Sequence, residues 1–210
     1  MILPIVKYGH PALRQKGSRI ASVTPELRQL VADMFDTMYD AHGIGLAAQQ
    51  VGQALQLTVV DVRGIEDRPS TLWLNGEPAA VDDFMPLALI NPELTPAGDP
   101  VSGPEGCLSF PEMYSDIARP EAVVVRAQTP DGRKLEFKCG GLLAKAIQHE
   151  VDHLNGILFI DRMARAAKES FKEELETLMA DTKAAIASAA EGSAEEASRA
   201  RIAKPKRARR

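Results

Sequence analysis

The sequence predicts an α+β domain in which antiparallel strands pack with a small number of helices. Three observations carry that reading. Four short β-branched runs recur along the chain, two of them are joined by residues with turn chemistry, and three stretches repeat apolar residues at helical spacing. The first helix is predicted over residues 25–41. Thr24 is a natural N-cap, and Pro25 follows at the first helical position, where its missing N–H costs nothing. Leu27, Leu30, Val31, Met34, Phe35 and Met38 then fall on one face, and Gly43 and Gly45 end the pattern. Strands are predicted over 56–62, 87–90, 122–127 and 135–139. Thr129-Pro130-Asp131-Gly132 lies between the last two and implies a hairpin. Residues 64–86 mix proline, glycine and acids without periodicity and read as a long excursion between strands. After Gly140-Gly141, the positions Leu142, Leu143, Ala146, Ile147, Val151 and Leu154 predict a buried helix that stops near Asn155-Gly156. A terminal amphipathic helix is predicted over 165–190, with Phe171, Leu175, Leu178 and Met179 on its apolar side.

Composition narrows the classes available. With 210 residues, 45% hydrophobic and 26% charged, the chain is long enough for one sizeable core and excludes collagen-like, wholly disordered and coiled-coil-only architectures. Two cysteines cannot build a disulfide framework, residues 1–11 lack the pattern of a secretory signal, and no run of eighteen apolar residues is present. The expectation is a protein of the reducing cytoplasm with no membrane association. Charge is unevenly placed. The net charge is −4, yet residues 199–210 hold seven Lys/Arg and no acid, which leaves 18 basic against 29 acidic side chains on the rest. Seven cations without an aromatic suit phosphate contact rather than base readout, so no sequence-specific nucleic-acid binding is expected. Contact with ribosomal RNA through this tail and a solvated end without a partner both remain open.

Chemistry concentrates in His149-Glu150-Val151-Asp152-His153. On a helix, residues four apart project about 40° from one another, so the two imidazoles share a face and can chelate one metal ion. Glu150 stands beside them as a base that need not be a ligand. Two histidines leave a transition metal short of its usual three protein ligands, and the best candidate for the third is Cys107 in Glu105-Gly106-Cys107-Leu108-Ser109. Cys139 closes an apolar strand and reads as core filler. In a third segment, residues 43–50 (GIGLAAQQ), small residues allow another backbone to approach closely, and Gln50 offers a side-chain amide. Lys145 reads as a solvated or snorkelling lysine. His10 and His42 are not assigned to the metal. Asp152 faces either a ligand imidazole or a solvent or arginine partner, and Glu105 either holds the metal loop or is exposed.

The three segments, in this order, resemble the peptide deformylase family, whose pattern joins a glycine-alanine-glutamine motif, Glu-Gly-Cys-hydrophobic-Ser and a His-Glu-x-x-His helix. The resemblance runs over about residues 3–175. It implies antiparallel β-sheets around a central metal-bearing helix, followed by a C-terminal helix. It also implies removal of the formyl group from nascent polypeptides that begin with formylmethionine, releasing formate. In that reading Cys107, His149 and His153 hold one divalent ion, Fe2+ by preference, with Zn2+, Ni2+ or Co2+ as substitutes. A metal-bound water attacks the formyl carbon with Glu150 as general acid and base, while the Gln50 amide and the Leu108 backbone N–H meet the oxyanion. Ile44 and Gly45 line the substrate site, as does the stretch 110–114, and the 64–86 excursion looks like an insertion relative to the shortest members. The implied organisation is a catalytic metallohydrolase domain over 1–165, a helical extension over 166–191 and a basic, disordered tail over 192–210. Two rival schemes use other residues. A zinc endopeptidase would take Glu173 as third ligand, and a closed structural zinc site would recruit Cys139 beside Cys107, His149 and His153.

Overall fold

The structure is a computed structural model that describes residues 1–202, with side chains through residue 191. Helix α1 spans Pro25–Asp40 and starts as its sequence dictates: the Thr24 hydroxyl accepts the Leu27 N–H at 3.3 Å. Its buried face of Leu27, Val31, Met34 and Met38 packs on Leu46, Leu57, Val59 and Ile90 of the sheet.

Seven strands form one continuous antiparallel order: β1 (Gly45–Ala47), β2 (Leu57–Val60), β5 (Leu87–Cys107), β6 (Phe110–Gln128), β7 (Lys134–Gly140), β3 (Ser70–Leu74) and β4 (Glu77–Ala79). Helix α2 (Gly141–Leu154) packs against β1 and β2 toward one end of that order and against β3 and β7 toward the other. In a flat sheet β1 and β3 would lie about 24 Å apart, far beyond the reach of one helix. The sheet therefore curls round α2, which is buried on nearly every side. This is the expected α+β arrangement, achieved by one bent sheet.

Two strands are far longer than the sequence patterns suggest. The runs at 87–90 and 122–127 mark only the outer parts of β5 and β6, whose inner lengths carry Pro92, Pro96, Pro100, Pro104, Pro111 and Pro120. Prolines and glycines there read locally as loop, but register shifts at Ile90/Glu93, Ala97/Pro100 and Gly106/Cys107 absorb residues that cannot donate to a ladder. The β6–β7 hairpin forms as predicted, closed by Gly132 N–H to the Thr129 carbonyl at 2.8 Å. The 64–86 excursion is not structureless. It contains the hairpin β3–β4, turned by Asn75-Gly76 with φ of +54° and +88°, and β3 pairs with β7 to complete the sheet. Asn-Gly between two short runs is a strong hairpin signal, and it was there to be read.

Past α2, the predicted terminal helix is two elements, α3 (Arg165–Ser170) and α4 (Lys172–Ile202). The helical backbone runs through residues 192–202, so the composition change at Gly192 does not end it. The remainder of the expected disordered tail, residues 203–210, lies outside the described residues. Among the described residues, no helix is long and apolar enough to cross a membrane.

Candidate active site

Three elements bring the chemistry together. The 3-10 turn Ala48–Val51 after β1 supplies Gln50, the bulged end of β5 supplies Cys107, and α2 supplies His149, Glu150 and His153. The ligand atoms of Cys107, His149 and His153 lie within 4.8 Å of one another, with Cys107 Sγ 3.2 Å from His153 Nε2. Metal–ligand lengths of about 2.3 Å to sulfur and 2.05 Å to nitrogen at a tetrahedral angle put such a pair about 3.5 Å apart, so the three donors suit one transition-metal ion. Neither rival set assembles. Glu173 is exposed on α4, and Cys139 is sealed in the core opposite Val123 and Leu72, where burial pushes its thiol up to about 12.

Neighbours orient His149, whereas Nδ1 of His153 is buried without a hydrogen-bond partner. His149 Nδ1 is 3.0 Å from Glu105 Oε2, which leaves its Nε2 for the site. Arg119 of β6, 2% exposed, donates through Nε and Nη2 to both oxygens of Glu105 at 2.5 and 2.8 Å and through Nη1 to Asp152 at 2.7 Å. Arg162 grips the same Asp152 from outside. Asp152 thus faces arginines, while Glu105 holds the imidazole, which decides both alternatives left open by the sequence. Arg119 and Arg162 lie in stretches without a motif, and nothing local in the sequence marks them. Lys145 is not simply snorkelling: its Nζ donates to the carbonyls of Gly103 and Ile117 at 2.8 and 3.3 Å, pinning the approach to Cys107.

Electrostatics follow from burial and these partners. Desolvation pushes the Glu105 carboxyl up, but Arg119 and His149 more than reverse this and hold it at about 2. Burial pushes the Glu150 carboxyl up to about 7, against the pull of His149 and Arg119. At His153 burial, His149 and Arg119 all disfavour protonation, so it is held well below the usual imidazole value. Burial also opposes protonation of His149, but its contacts with Cys107 and Glu105 raise it.

These groups line a cleft of about 470 Å³. Ile44, Gly45, Gln50, Cys107, Leu108, His149 and Glu150 all face it, whereas Met113, Asp152 and His153 do not line it. Gln50 accepts the Ala47 N–H at 2.8 Å through its carbonyl oxygen, which turns its NH2 toward Cys107 Sγ at 3.5 Å and Ser109 Oγ at 3.4 Å. Leu108 sits in the two-residue turn between β5 and β6, with its carbonyl accepting from Lys7 Nζ at 2.7 Å. A side chain at Gly45 is excluded because its Cβ would overlap Glu150 Oε1 and lie 2.8 Å from Cδ. The Glu150 carboxyl therefore occupies the space that Gly45 leaves, and its Oε2 is buried without a protein partner.

A curled antiparallel sheet around a helix that carries two histidines and a buried carboxyl, with a cysteine thiol from the sheet beside them, is an arrangement that could hold a divalent metal ion and suits a hydrolase. Comparison with known proteins names the family. The profile for polypeptide deformylase matches residues 2–169. The chain is 46% identical over 187 residues to the peptide deformylase of Opitutus terrae, covering 88% of this chain and 97% of that one. It is 48% identical over 178 residues to that of Methylacidiphilum infernorum, covering 85% and 93%. Among solved structures, the peptide deformylase of Synechococcus elongatus in complex with actinonin superposes with a TM-score of 0.70 at 40% identity, covering 83% of this chain and 86% of that one. The Thermotoga maritima peptide deformylase superposes with a TM-score of 0.67 at 33% identity, covering 78% and 99%. The chain belongs to the peptide deformylase family and is an enzyme of that kind.

Proposed function

We propose that this protein hydrolyses the formyl group from nascent polypeptides that begin with formylmethionine, using Cys107, His149 and His153 to hold one divalent ion. The observation that carries the proposal is that those three ligand atoms lie within 4.8 Å of one another, with Cys107 and His149 on the same cleft as the Glu150 carboxyl and the Gln50 amide. Fe2+ is the ion proposed, with Zn2+, Ni2+ or Co2+ as substitutes; the thiolate donor favours a softer metal over Mg2+ or Ca2+. When bound, such an ion supplies Lewis acidity to the formyl carbonyl and to water.

The chain's own groups do the rest. Glu150, free of any hydrogen bond at Oε2, accepts a proton from the attacking water as the new C–O bond forms at the formyl carbon. The Gln50 NH2, held by the Ala47 contact, and the Leu108 N–H donate to the carbonyl oxygen as it gains charge. Glu150 then returns the proton to the amide nitrogen as the C–N bond breaks, leaving formate and a free amine. Ile44 and the Gly45 backbone take the methionine end of the substrate. In this reading residues 1–165 form the catalytic domain, the work is done in the cytoplasm on emerging chains, and the basic residues 199–210 meet ribosomal RNA.

The test is formate release from formyl-Met-Ala-Ser by protein reconstituted anaerobically with Fe2+. Stoichiometric metal without formate would refute the reading.

A further inference from the structure

The cleft carries a cation that the chemistry above does not use. Three basic side chains border it: Lys7, Arg68 and Lys145. Lys7 is spent on the Leu108 carbonyl and Lys145 on those of Gly103 and Ile117. Arg68, exposed on the 64–86 excursion, makes no hydrogen bond or ion pair among the described residues. It is nonetheless held in place. Immediately after it, the Pro69 carbonyl accepts the Leu142 N–H at 3.3 Å and the Ser70 hydroxyl accepts the Leu143 N–H at 3.0 Å, so this segment caps α2 from outside the helix. Before it, Asp61 is clasped by Arg63 and by the Tyr39 hydroxyl at 2.7 Å. A short segment anchored at both ends thus presents an unpaired guanidinium at the rim, on the side where Leu142, Lys145 and Ala146 line the cleft.

Arg68 forms no ion pair with any carboxylate among the described residues, although Glu66 and Asp67 directly precede it in the chain. Glu105, the acid nearest Lys145, is consumed by Arg119 and His149. The remaining rim carboxylate is Glu112, which opens β6 at a φ of +60° and has no hydrogen bond or ion pair among the described residues. The body of the chain is strongly acidic, so an unpaired arginine at the mouth stands against the general field.

Resting on the deformylase reading, we propose that Arg68 is a specificity residue that pairs with an acidic side chain just downstream of the formylmethionine of the substrate. Its planar fork of donors suits a carboxylate, and at an exposed rim the pairing is worth a few-fold in kcat/KM and is screened by salt.

The experiment compares formyl-Met-Asp-Ser and formyl-Met-Glu-Ser with their Asn and Gln counterparts. The parent protein should prefer the acidic peptides by about threefold to fivefold at low ionic strength, mainly through KM, with the preference fading in 0.5 M salt. Arg68→Gln should bring the ratio to about one whatever happens to the absolute rates. An unchanged ratio in Arg68→Gln would overturn the proposal. Formate release from none of the peptides would instead defeat the deformylase reading. In that event calorimetric binding of the same four peptides still decides the matter for Arg68, through the presence or loss of the acidic preference.

Discussion

Arg119 and Glu105 meet in a two-point pair at 2.5 and 2.8 Å, both nearly inaccessible to solvent, and through Glu105 the pair reaches His149. Because Arg119 also binds Asp152, one guanidinium from β6 ties the end of β5 that bears Cys107 to the helix that bears both histidines. The spacing of the three ligands is thus set by a side chain that is not one of them.

Removing that tie should loosen the metal and the fold together. Arg119→Met leaves the buried Glu105 carboxylate without its guanidinium and Asp152 with Arg162 alone, and should destabilise the protein by about 3–5 kcal/mol. Metal affinity should fall about tenfold to a hundredfold, as is typical when the partner of a ligand histidine is lost. Chelator competition and urea titration of the holo and apo forms measure both, and Arg119→Lys should restore charge but not the two-point grip. Unaltered metal affinity in a folded Arg119→Met protein would refute the coupling.

Metal stoichiometry separates the two cysteines. Cys107→Ala should abolish tight binding of the ion and all formate release, and a chelator should do the same to the parent. Cys139→Ser should keep one ion per chain while lowering the melting temperature, because a hydroxyl enters an apolar layer without a partner. The native Cys139 thiol, fully enclosed and pushed up to about 12, should resist alkylation at pH 8 until the chain is unfolded.

At Gly45 a single methyl should silence the site. The Cβ of Gly45→Ala would overlap the Glu150 carboxyl, and a displacement of about 1 Å in a proton-transfer group costs on the order of a hundredfold in kcat. Circular dichroism and metal content should match the parent, so a variant of full activity would contradict the packing described here.

Acid sensitivity should be visible away from the site, at Arg14 and Asp161. Burial pushes the Asp161 carboxyl up, but the Arg14 guanidinium and the Leu158 N–H outweigh it and hold the group below the ordinary carboxylate value. The folded state therefore binds fewer protons than the unfolded one. The stabilisation is present above the ordinary value of about 3.9 and is lost as pH falls through the depressed folded value. Asp161→Asn should lower the melting temperature at pH 7, with the gap to the parent closing toward pH 3. A gap that grows on acidification would contradict this assignment.

How far the chain could be read in advance depended on the range of each interaction. Helices α1 and α2 were legible because capping residues and a 3.6-residue period are local, and Thr24, Pro25 and the Leu142–Leu154 pattern act within a turn or two. The closeness of the His149 and His153 rings was legible for the same reason, since i,i+4 spacing alone places two rings on one face. The inner halves of β5 and β6 were not, because their proline-rich residues become strands only by pairing with each other. The β3–β4 hairpin had a local signal in Asn75-Gly76 that composition obscured.

By itself, then, the order of residues determined helices α1 and α2, the paired histidines, the thiol in its Glu-Gly-Cys setting and, by resemblance, the family. Only the tertiary structure decided that Glu105 rather than Asp152 orients His149, that Arg119 and Lys145 brace the metal loop, and that the 64–86 excursion brings Arg68 to the cleft. The physical reason is that hydrogen bonds and ion pairs between residues fourteen or more positions apart leave no periodic trace in the chain. They exist only after the sheet has curled around α2.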